Sequence, residues 1–215
     1  MPLPRVYPIV ESADWVGRLL PRGVRLVQLR VKDRSAEEVR VEIRKSKALC
    51  VGSGAQLIVN DYWQLAIEEG CDFVHLGQGD LDRADTLAVR KAGLRLGVST
   101  HDERELDRAL ALDPDYVALG PIYPTLLKVM PWAPQGLARI TAWKQKVGRI
   151  PLVAIGGLTL ERLPGVFAAG ADVAAVVTDI VTDPDPEARA RAWVAAAQAS
   201  ELATGRAQAR RAGTG

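Results

Sequence analysis

The sequence predicts a single-domain (β/α)8 TIM barrel with parallel strands. Eight short apolar runs recur along the 215 residues, and segments with helical spacing separate them. Strands that alternate with helices form βαβ units, and such units build a parallel sheet. The units average ~27 residues, which is close to the lower size limit of an eight-stranded barrel. An open doubly wound sheet is the alternative, but eight strands are many for it, and no Gly-rich dinucleotide fingerprint follows the first strand.

The predicted strands are short runs of apolar residues. They cover residues 5–10, 25–31, 56–61, 72–77, 94–99, 115–120, 151–157 and 172–178. Gly stands just before several of them, in "LLPRGVRLVQL", "EEGCDFVHL", "KAGLRLGV" and "AAGADVAAV". Gly in that place suits the end of a helix followed by a tight turn into the next strand. These turns therefore support the alternation of helices and strands.

The segments between the strands have the spacing of helices. The first link, 12–20, is short but can hold a helix, and the second, 35–49, begins with Ser35 as N-cap and an acidic first turn. The last, 186–199, has Pro186 in its first turn after Asp185. The remaining predicted helices cover 62–69, 82–92, 102–112, 136–147 and 159–169. No linker divides the chain, so we predict one barrel domain over 1–202 and a flexible, basic tail over 203–215.

Composition limits the classes of function. With 48% hydrophobic residues, the chain is long enough to bury a sizeable core. The net charge of +2 comes from interspersed charges of both signs, so we expect no nucleic-acid partner. No apolar run approaches the roughly 20 residues that a membrane helix needs. Cys50 and Cys71 lack the spacing of metal ligands. We therefore expect a cytoplasmic protein without a membrane partner, and a homo-oligomer is left open.

The second predicted strand carries an unusual polar face in the stretch "LVQLRVKD". Because side chains alternate along a strand, Gln28, Arg30 and Lys32 share one face, and the other is apolar. A cation inside a barrel is stable only when an anion pairs with it. They could form an internal salt bridge with Asp33 or with an acidic residue of another strand. Three polar residues in succession at the carboxyl end of a strand, where barrel sites lie, instead favour a site for a polyanionic ligand.

Polar residues also follow the other strands. Asp61 and Asp80 come after neighbouring strands and could hold a hard cation such as Mg²⁺ together with substrate phosphates. Backbone amides in the loops after the seventh and eighth strands often bind a phosphate in such barrels. The further candidates at these strand ends are Asn60, Ser99, Thr125, Lys128, Gly156, Gly157 and Thr178. We therefore predict two anion sites in one mouth, so that two phosphorylated ligands could meet there.

Two other features have simpler interpretations. His75 lies inside the fourth strand rather than beyond its end, and we expect a hydrogen-bonded core or near-mouth residue rather than a catalytic one. The loop 122–135 is long, broken by prolines and carries Trp132. It is a candidate lid, although Trp132 could equally cover hydrophobic surface.

Seven motifs at successive strand ends resemble one known family. They are "QLRVKD", "LIVND", "VHLGQGD", "LGVST", "LGPIYPTLLK", "VAIGG" and "VAAVVTDI". In this order, and over about residues 7–199, they resemble the thiamine phosphate synthase family. The resemblance implies a transferase of thiamine biosynthesis on a TIM barrel, with Mg²⁺ as cofactor. Its implied substrates are 4-amino-2-methyl-5-hydroxymethylpyrimidine diphosphate and a thiazole phosphate, and its products are thiamine phosphate and pyrophosphate.

The resemblance also implies roles for individual residues. The diphosphate of the pyrimidine substrate would be held by Gln28, Arg30, Lys32 and Asn60, and the metal by Asp61 and Asp80. The substrate or pyrophosphate would be contacted by Ser99, Thr125 and Lys128, and the thiazole phosphate by Gly157 and the backbone near Thr178 and Ile180. The implied catalytic residues are Arg30, Lys32, Lys128 and Ser99. The implied reaction is dissociative: a pyrimidinylmethyl cation forms first and the thiazole nitrogen captures it.

The sequence departs from the family at one motif. The usual "PTxTK" is "PTLLK" here, so Leu127 stands in the place of a Thr. The resemblance implies that one hydroxyl contact to substrate is thereby lost. Two alternatives therefore stay open, a thiazole tautomerase on the same barrel and a non-catalytic protein that binds thiamine intermediates. A tautomerase needs an acid or base in the mouth but no diphosphate cluster. Retention of Arg30, Lys32, Asp61 and Asp80 argues against it.

Overall fold

The computed structural model describes residues 2–125 and 132–212, with side chains described up to residue 203. Eight parallel strands close into a barrel in the order of the sequence, because β1 pairs with β8 as well as with β2. The predicted fold class is confirmed, and the alternative prediction of an open doubly wound sheet is wrong. The strands are β1 Val6–Val10, β2 Leu26–Leu29, β3 Gln56–Asn60, β4 Phe73–Leu76, β5 Arg95–Thr100, β6 Tyr116–Leu119, β7 Leu152–Ala154 and β8 Val173–Val176.

The described residues also form ten α-helices. They are α1 Ala13–Leu19, α2 Ala36–Ser53, α3 Trp63–Glu68, α4 Gln78–Leu81, α5 Thr86–Lys91, α6 Glu103–Leu110, α7 Gly136–Val147, α8 Leu163–Ala168, α9 Thr178–Val181 and α10 Pro186–Ala212. At the start of α2, Ser35 and Glu38 form the reciprocal capping bonds that the sequence indicates. None of the described helices is long and apolar enough to cross a membrane.

The helices differ from the prediction in several places. Helix α2 continues to Ser53 rather than ending at residue 49, and α8 begins at Leu163 rather than at residue 159. The helix predicted over 82–92 begins only after Asp85, whose side chain accepts a hydrogen bond from the Ala88 amide as an N-cap. The short helices α4 and α9, which directly follow β4 and β8, were not predicted. The last helix ends at Ala212 rather than at residue 199, so it enters the segment 203–215. The flexibility of that segment stays a prediction.

Two layers of apolar side chains surround the strands. Inside the barrel lie residues such as Leu26, Phe73 and Tyr116. Between the barrel and the helices lies a larger layer that includes the fully buried indoles of Trp143 and Trp193. Burial of that much apolar surface in both layers drives closure of the sheet. The carboxyl ends of all eight strands consequently meet at one rim, and the polar residues at the strand ends are brought together there.

Candidate active site

The polar face of β2 points as the alternation predicts. Leu26 belongs to the interior layer, whereas Val27 and Leu29 pack among the helices. Gln28 is buried inside the barrel. Arg30 and Lys32 follow the end of the strand and are exposed at the rim. The two cations therefore face the mouth and not the helix layer.

The two rim cations differ in their partners. Lys32 forms an ion pair with the carboxylate of Asp61, which follows β3. Arg30 forms no ion pair with an acidic side chain of residues 2–125 or 132–203. The positive charge of Arg30 nevertheless acts on His75 inside the barrel, where it helps to lower the pKa of that side chain. A salt bridge with Asp33 is absent in this described part of the chain. Lys32 instead pairs with an acidic residue that follows another strand, which is the other internal salt bridge considered, and the Arg30 guanidinium stays available to an anionic ligand.

Two carboxylates meet between β3 and β4. Asp61 adopts a left-handed backbone conformation (φ 64°), and its amide donates to the His75 carbonyl oxygen at 2.9 Å. Asp80 lies on α4. Burial, the negative charge of Asp61 and a hydrogen bond with Asp61 together raise the pKa of Asp80, while Lys32 and Arg83 oppose that shift. The two carboxyl groups are therefore close enough for a hydrogen bond between them.

No third metal-binding side chain joins this pair in the described ranges, where no group of three His, Cys, Asp or Glu residues is placed to hold a metal. Two carboxylates are nevertheless what Mg²⁺ usually takes from a protein when substrate phosphates and water complete its coordination. The helix that carries Asp80 is held against β5, because Gln78 donates to the Ser99 carbonyl oxygen at 2.7 Å. The predicted metal ligands Asp61 and Asp80 are thus brought together.

A continuous chain of hydrogen bonds lies beneath the rim. Gln28 Nε2 donates to the Tyr7 hydroxyl at 2.7 Å, and the Tyr7 and Tyr116 hydroxyl groups are 2.9 Å apart. The Tyr116 hydroxyl is 2.7 Å from His75 Nδ1, and His75 Nε2 is 2.8 Å from Ser99 Oγ. Burial lowers the pKa of His75 to about 4 and raises the pKa of both tyrosines. His75 therefore has the hydrogen-bonded position that we expected, whereas neither tyrosine was predicted.

The corner formed by the loops after β7 and β8 has little room for side chains. Gly157 has a left-handed backbone (φ 63°), and a Cβ there would lie 2.4 Å from the Pro124 carbonyl oxygen. The α9 turn begins at Thr178, and the amides that begin a helix have no partner within it. The Ile180 amide, in contrast, donates to the Val177 carbonyl oxygen at 3.1 Å, and its side chain is buried. The roles of Gly157, Thr178 and Ile180 in phosphate binding stay predictions.

Asp179 is a residue whose role the sequence analysis missed. Its carboxylate accepts two hydrogen bonds from Arg189, both at 2.9 Å, and one from Trp193 Nε1 at 2.6 Å. Arg189 and Trp193 both lie on α10. The long last helix therefore fixes the position of the α9 turn at the mouth of the barrel.

Two of the remaining candidates, Asn60 and Thr125, are among the described residues. Asn60 is buried at the end of β3, and Thr125 is partly exposed in the loop after β6. Lys128 and Leu127 lie outside the described residues. From the far side of the same loop, the Trp132 ring stacks on His101 with 3.8 Å between ring centroids, a contact that the sequence did not predict. Closure of the loop 122–135 as a lid stays a prediction.

The fold and the mouth define a (β/α)8-barrel protein with a charged rim of the kind that binds polyanionic ligands. A family model described as thiamine monophosphate synthase matches residues 6–180. The thiamine-phosphate synthase of Rhizobium etli is 63% identical over 91% of this chain and 96% of its own. That of Cronobacter sakazakii is 52% identical over 84% of this chain and 86% of its own. The chain belongs to the thiamine monophosphate synthase family, so the predicted family and an enzyme of thiamine biosynthesis are confirmed.

A solved structure supports the fold. The thiamine phosphate pyrophosphorylase of Pyrococcus furiosus superposes with a TM-score of 0.82 and covers 92% of this chain and 96% of its own. Its sequence identity of 23% makes this a statement about the fold alone.

Proposed function

We propose that this chain condenses hydroxymethylpyrimidine diphosphate with a thiazole phosphate to give thiamine phosphate and pyrophosphate. One observation carries the proposal: the carboxylate pair Asp61–Asp80 stands beside Lys32, and Arg30 is exposed at the same rim of the barrel. This arrangement suits a diphosphate together with a divalent cation. A cytoplasmic location and the two phosphorylated substrates belong to the same proposal.

Charge neutralisation is the main task of the β2 side of the site. Departure of pyrophosphate places negative charge on the leaving oxygen atoms, and fixed cations at that position lower the barrier. Arg30 can offer a planar fork of donors to phosphate oxygens. Lys32 is an ammonium that already lies against Asp61, so it can bridge the metal ligands and the diphosphate. Gln28 and Asn60 are buried beside them and would orient the pyrimidine diphosphate.

The carboxylate pair fits Mg²⁺. Burial and repulsion by Asp61 raise the pKa of Asp80, and a divalent cation between the two groups would relieve that repulsion. Asp61 and Asp80 would therefore hold Mg²⁺, which when bound supplies positive charge to the leaving diphosphate. The cofactor is part of the proposal.

The second anion site would hold the thiazole phosphate. It would consist of backbone amides around Gly157 and Thr178, which carry no net charge of their own. With both substrates held in one mouth, the thiazole nitrogen would be positioned to capture the pyrimidinylmethyl cation. Such a dissociative reaction needs no protein nucleophile and no strong base. Ser99, Thr125 and Lys128 would contact the reacting substrates, and for Lys128 this assignment rests on the family resemblance alone.

The geometry does not favour the two alternatives. A tautomerase needs no cluster for a diphosphate, whereas this mouth carries Arg30 and Lys32 together with the carboxylate pair. Two carboxylates that repel each other destabilise the metal-free protein, and a non-catalytic binding protein would have no need of such a pair.

The test is a product assay with both phosphorylated substrates, with and without Mg²⁺. We expect thiamine phosphate and pyrophosphate only when magnesium is present. Isomerised thiazole as the sole product would indicate the tautomerase, and binding without turnover would indicate the binding protein. Asp80→Asn should abolish the magnesium response. Asp82→Asn is the matched control, because the exposed Asp82 pairs with Arg108 at 2.8 Å outside the carboxylate pair.

A further inference from the structure

The hydrogen-bond chain under the rim contains three residues that the proposed reaction does not use. Tyr7, Tyr116 and His75 connect Gln28 to Ser99, so the chain joins two predicted substrate residues across the interior. Its five members come from five different strands, β1, β2, β4, β5 and β6. Tyr7, Tyr116 and Gln28 are almost completely buried, so bulk water does not compete for these bonds.

The direction of each hydrogen bond in this hydrogen-bond chain can be assigned by starting from Gln28. The Tyr7 hydroxyl has Gln28 and Tyr116 as its hydrogen-bond partners within the described side chains. Since Gln28 Nε2 donates to the Tyr7 oxygen, the Tyr7 hydrogen is directed to Tyr116. The Tyr116 hydrogen is then directed to His75 Nδ1, which must be an acceptor. The ring hydrogen of His75 consequently sits on Nε2 and is donated to Ser99 Oγ.

Two other arrangements leave a hydrogen without an acceptor. If Tyr116 donated to Tyr7 while Gln28 also donated to it, the Tyr7 hydrogen would have no partner in this buried position. A doubly protonated His75 would also leave the Tyr7 hydrogen without an acceptor, because His75 would donate to Tyr116 and Tyr116 would then have to donate to Tyr7. A buried donor without a partner costs free energy, so the first order is favoured.

Packing fixes the geometry of the chain. The rings of His75 and Tyr116 are stacked, with 5.6 Å between their centroids and an angle of 9° between their planes. Tyr7 meets Tyr116 edge to face at 6.0 Å. Opposite the Tyr116 ring stands Gly97 of β5, where an added Cβ would lie 2.1 Å from Tyr116 Cζ. The ring can therefore cross the barrel only because β5 carries glycine at that position.

We propose that Tyr7, Tyr116 and His75 are positioning residues that hold His75 as its Nε2–H tautomer and leave the Ser99 hydroxyl hydrogen free to be donated into the mouth. Ser99 thereby selects a hydrogen-bond acceptor on the substrate, such as a phosphate oxygen or an unprotonated ring nitrogen, over a donor such as an amino group. This selection rests on the proposed function, because Ser99 must touch the substrate. The order of hydrogens within the chain does not depend on it.

The first test is ¹⁵N NMR of the histidine rings in the full chain without substrates. Only two histidines are present, and a His101→Gln variant identifies the signals of His75. We expect the Nε2–H tautomer of His75 at neutral pH. An Nδ1–H tautomer, which a reversed Gln28 amide would produce, or a doubly protonated ring would overturn the proposal. The spectrum requires no activity, so failure of the product assay with this tautomer present would refute the proposed function alone.

The second test is a double-mutant cycle on kcat/KM. Tyr116→Phe keeps the ring but breaks the chain, and we expect a loss of about five- to tenfold, the size of one hydrogen bond. In the double variant Tyr116→Phe with Ser99→Ala, kcat/KM should be within about twofold of Ser99→Ala alone, because Tyr116 acts through Ser99. Losses that multiply would show that the chain does not act through Ser99 and would overturn the proposal.

Thr100→Val is the matched control. Thr100 follows Ser99 on β5 but faces the helices, where its buried hydroxyl donates to the Ala118 carbonyl oxygen at 3.0 Å and accepts from Trp143 Nε1 at 3.1 Å. The variant should lower the unfolding temperature and leave kcat/KM within about twofold. If Thr100→Val lost as much activity as Tyr116→Phe, loss of any buried hydroxyl would explain both results, and the positioning role would be refuted.

Discussion

Replacement of Asp80 by Asn should make the metal-free protein more stable while it destroys most of its activity. Asp80 is repelled by Asp61, and burial adds to the cost of its charge, so its pKa is raised. The folded protein therefore binds more protons than the unfolded chain in the pH range between the ordinary pKa of Asp and the raised value. Stability of the metal-free protein consequently falls as pH rises through that range, and the neutral amide removes this dependence.

The magnitude follows from the surroundings of the pair. The Asp80 side chain is 31% exposed, and Lys32 and Arg83 offset part of the repulsion. After this screening we expect a gain of ~0.5–1 kcal/mol, which for a chain of this length corresponds to a rise of roughly 1–4 °C in Tm. In the same variant, loss of one metal ligand and of its stabilisation of the leaving diphosphate should lower kcat/KM by about 100-fold or more.

Thermal unfolding monitored with and without Mg²⁺, together with steady-state kinetics, measures both effects. Mg²⁺ should raise Tm of the unmodified chain and leave that of Asp80→Asn nearly unchanged. If the variant were less stable without metal, kept its response to Mg²⁺ or retained more than a tenth of the activity, the carboxylate pair would not be the metal site.

Three further predictions concern the rest of the mouth. Lys32→Ala should lower kcat by about 100-fold in steady-state assays without a change in fold, whereas Lys91→Ala, an exposed cation at the end of α5, should leave kcat unaltered; similar effects of the two would contradict the role of Lys32. Gly157→Ala should lower the free energy of unfolding by ~1–3 kcal/mol in denaturant titrations and raise KM for the thiazole phosphate, because the Cβ would meet the Pro124 carbonyl; an unchanged KM would remove this corner from the site. Leu127→Thr should lower KM for the thiazole phosphate severalfold by restoring a hydroxyl contact, and no change would show that the hydroxyl is not needed.

The sequence by itself determined the architecture and much of the rim. Alternation of strands and helices leads to a parallel barrel, because each helix returns the chain to the end of the sheet at which the preceding strand began. The period of two along β2 separated Gln28, Arg30 and Lys32 from the apolar face, and barrel topology then assigned them to the mouth. Such inferences succeed because they depend on local periodicity and on one general rule about strand ends. Helix starts were less certain, as the N-cap at Asp85 shows, because several polar residues compete to cap a helix.

Only the tertiary structure decided which buried side chains meet. Tyr7, Tyr116 and His75 each look like an ordinary strand residue, and their hydrogen-bond partners lie between 21 and 109 positions away in the sequence. Their contact depends on the radius of the closed barrel and on the space beside Gly97. The support of the α9 turn by Arg189 and Trp193 likewise depends on how α10 crosses the barrel end. A linear pattern records which face a residue occupies, whereas distances across a closed sheet are set by all eight strands together.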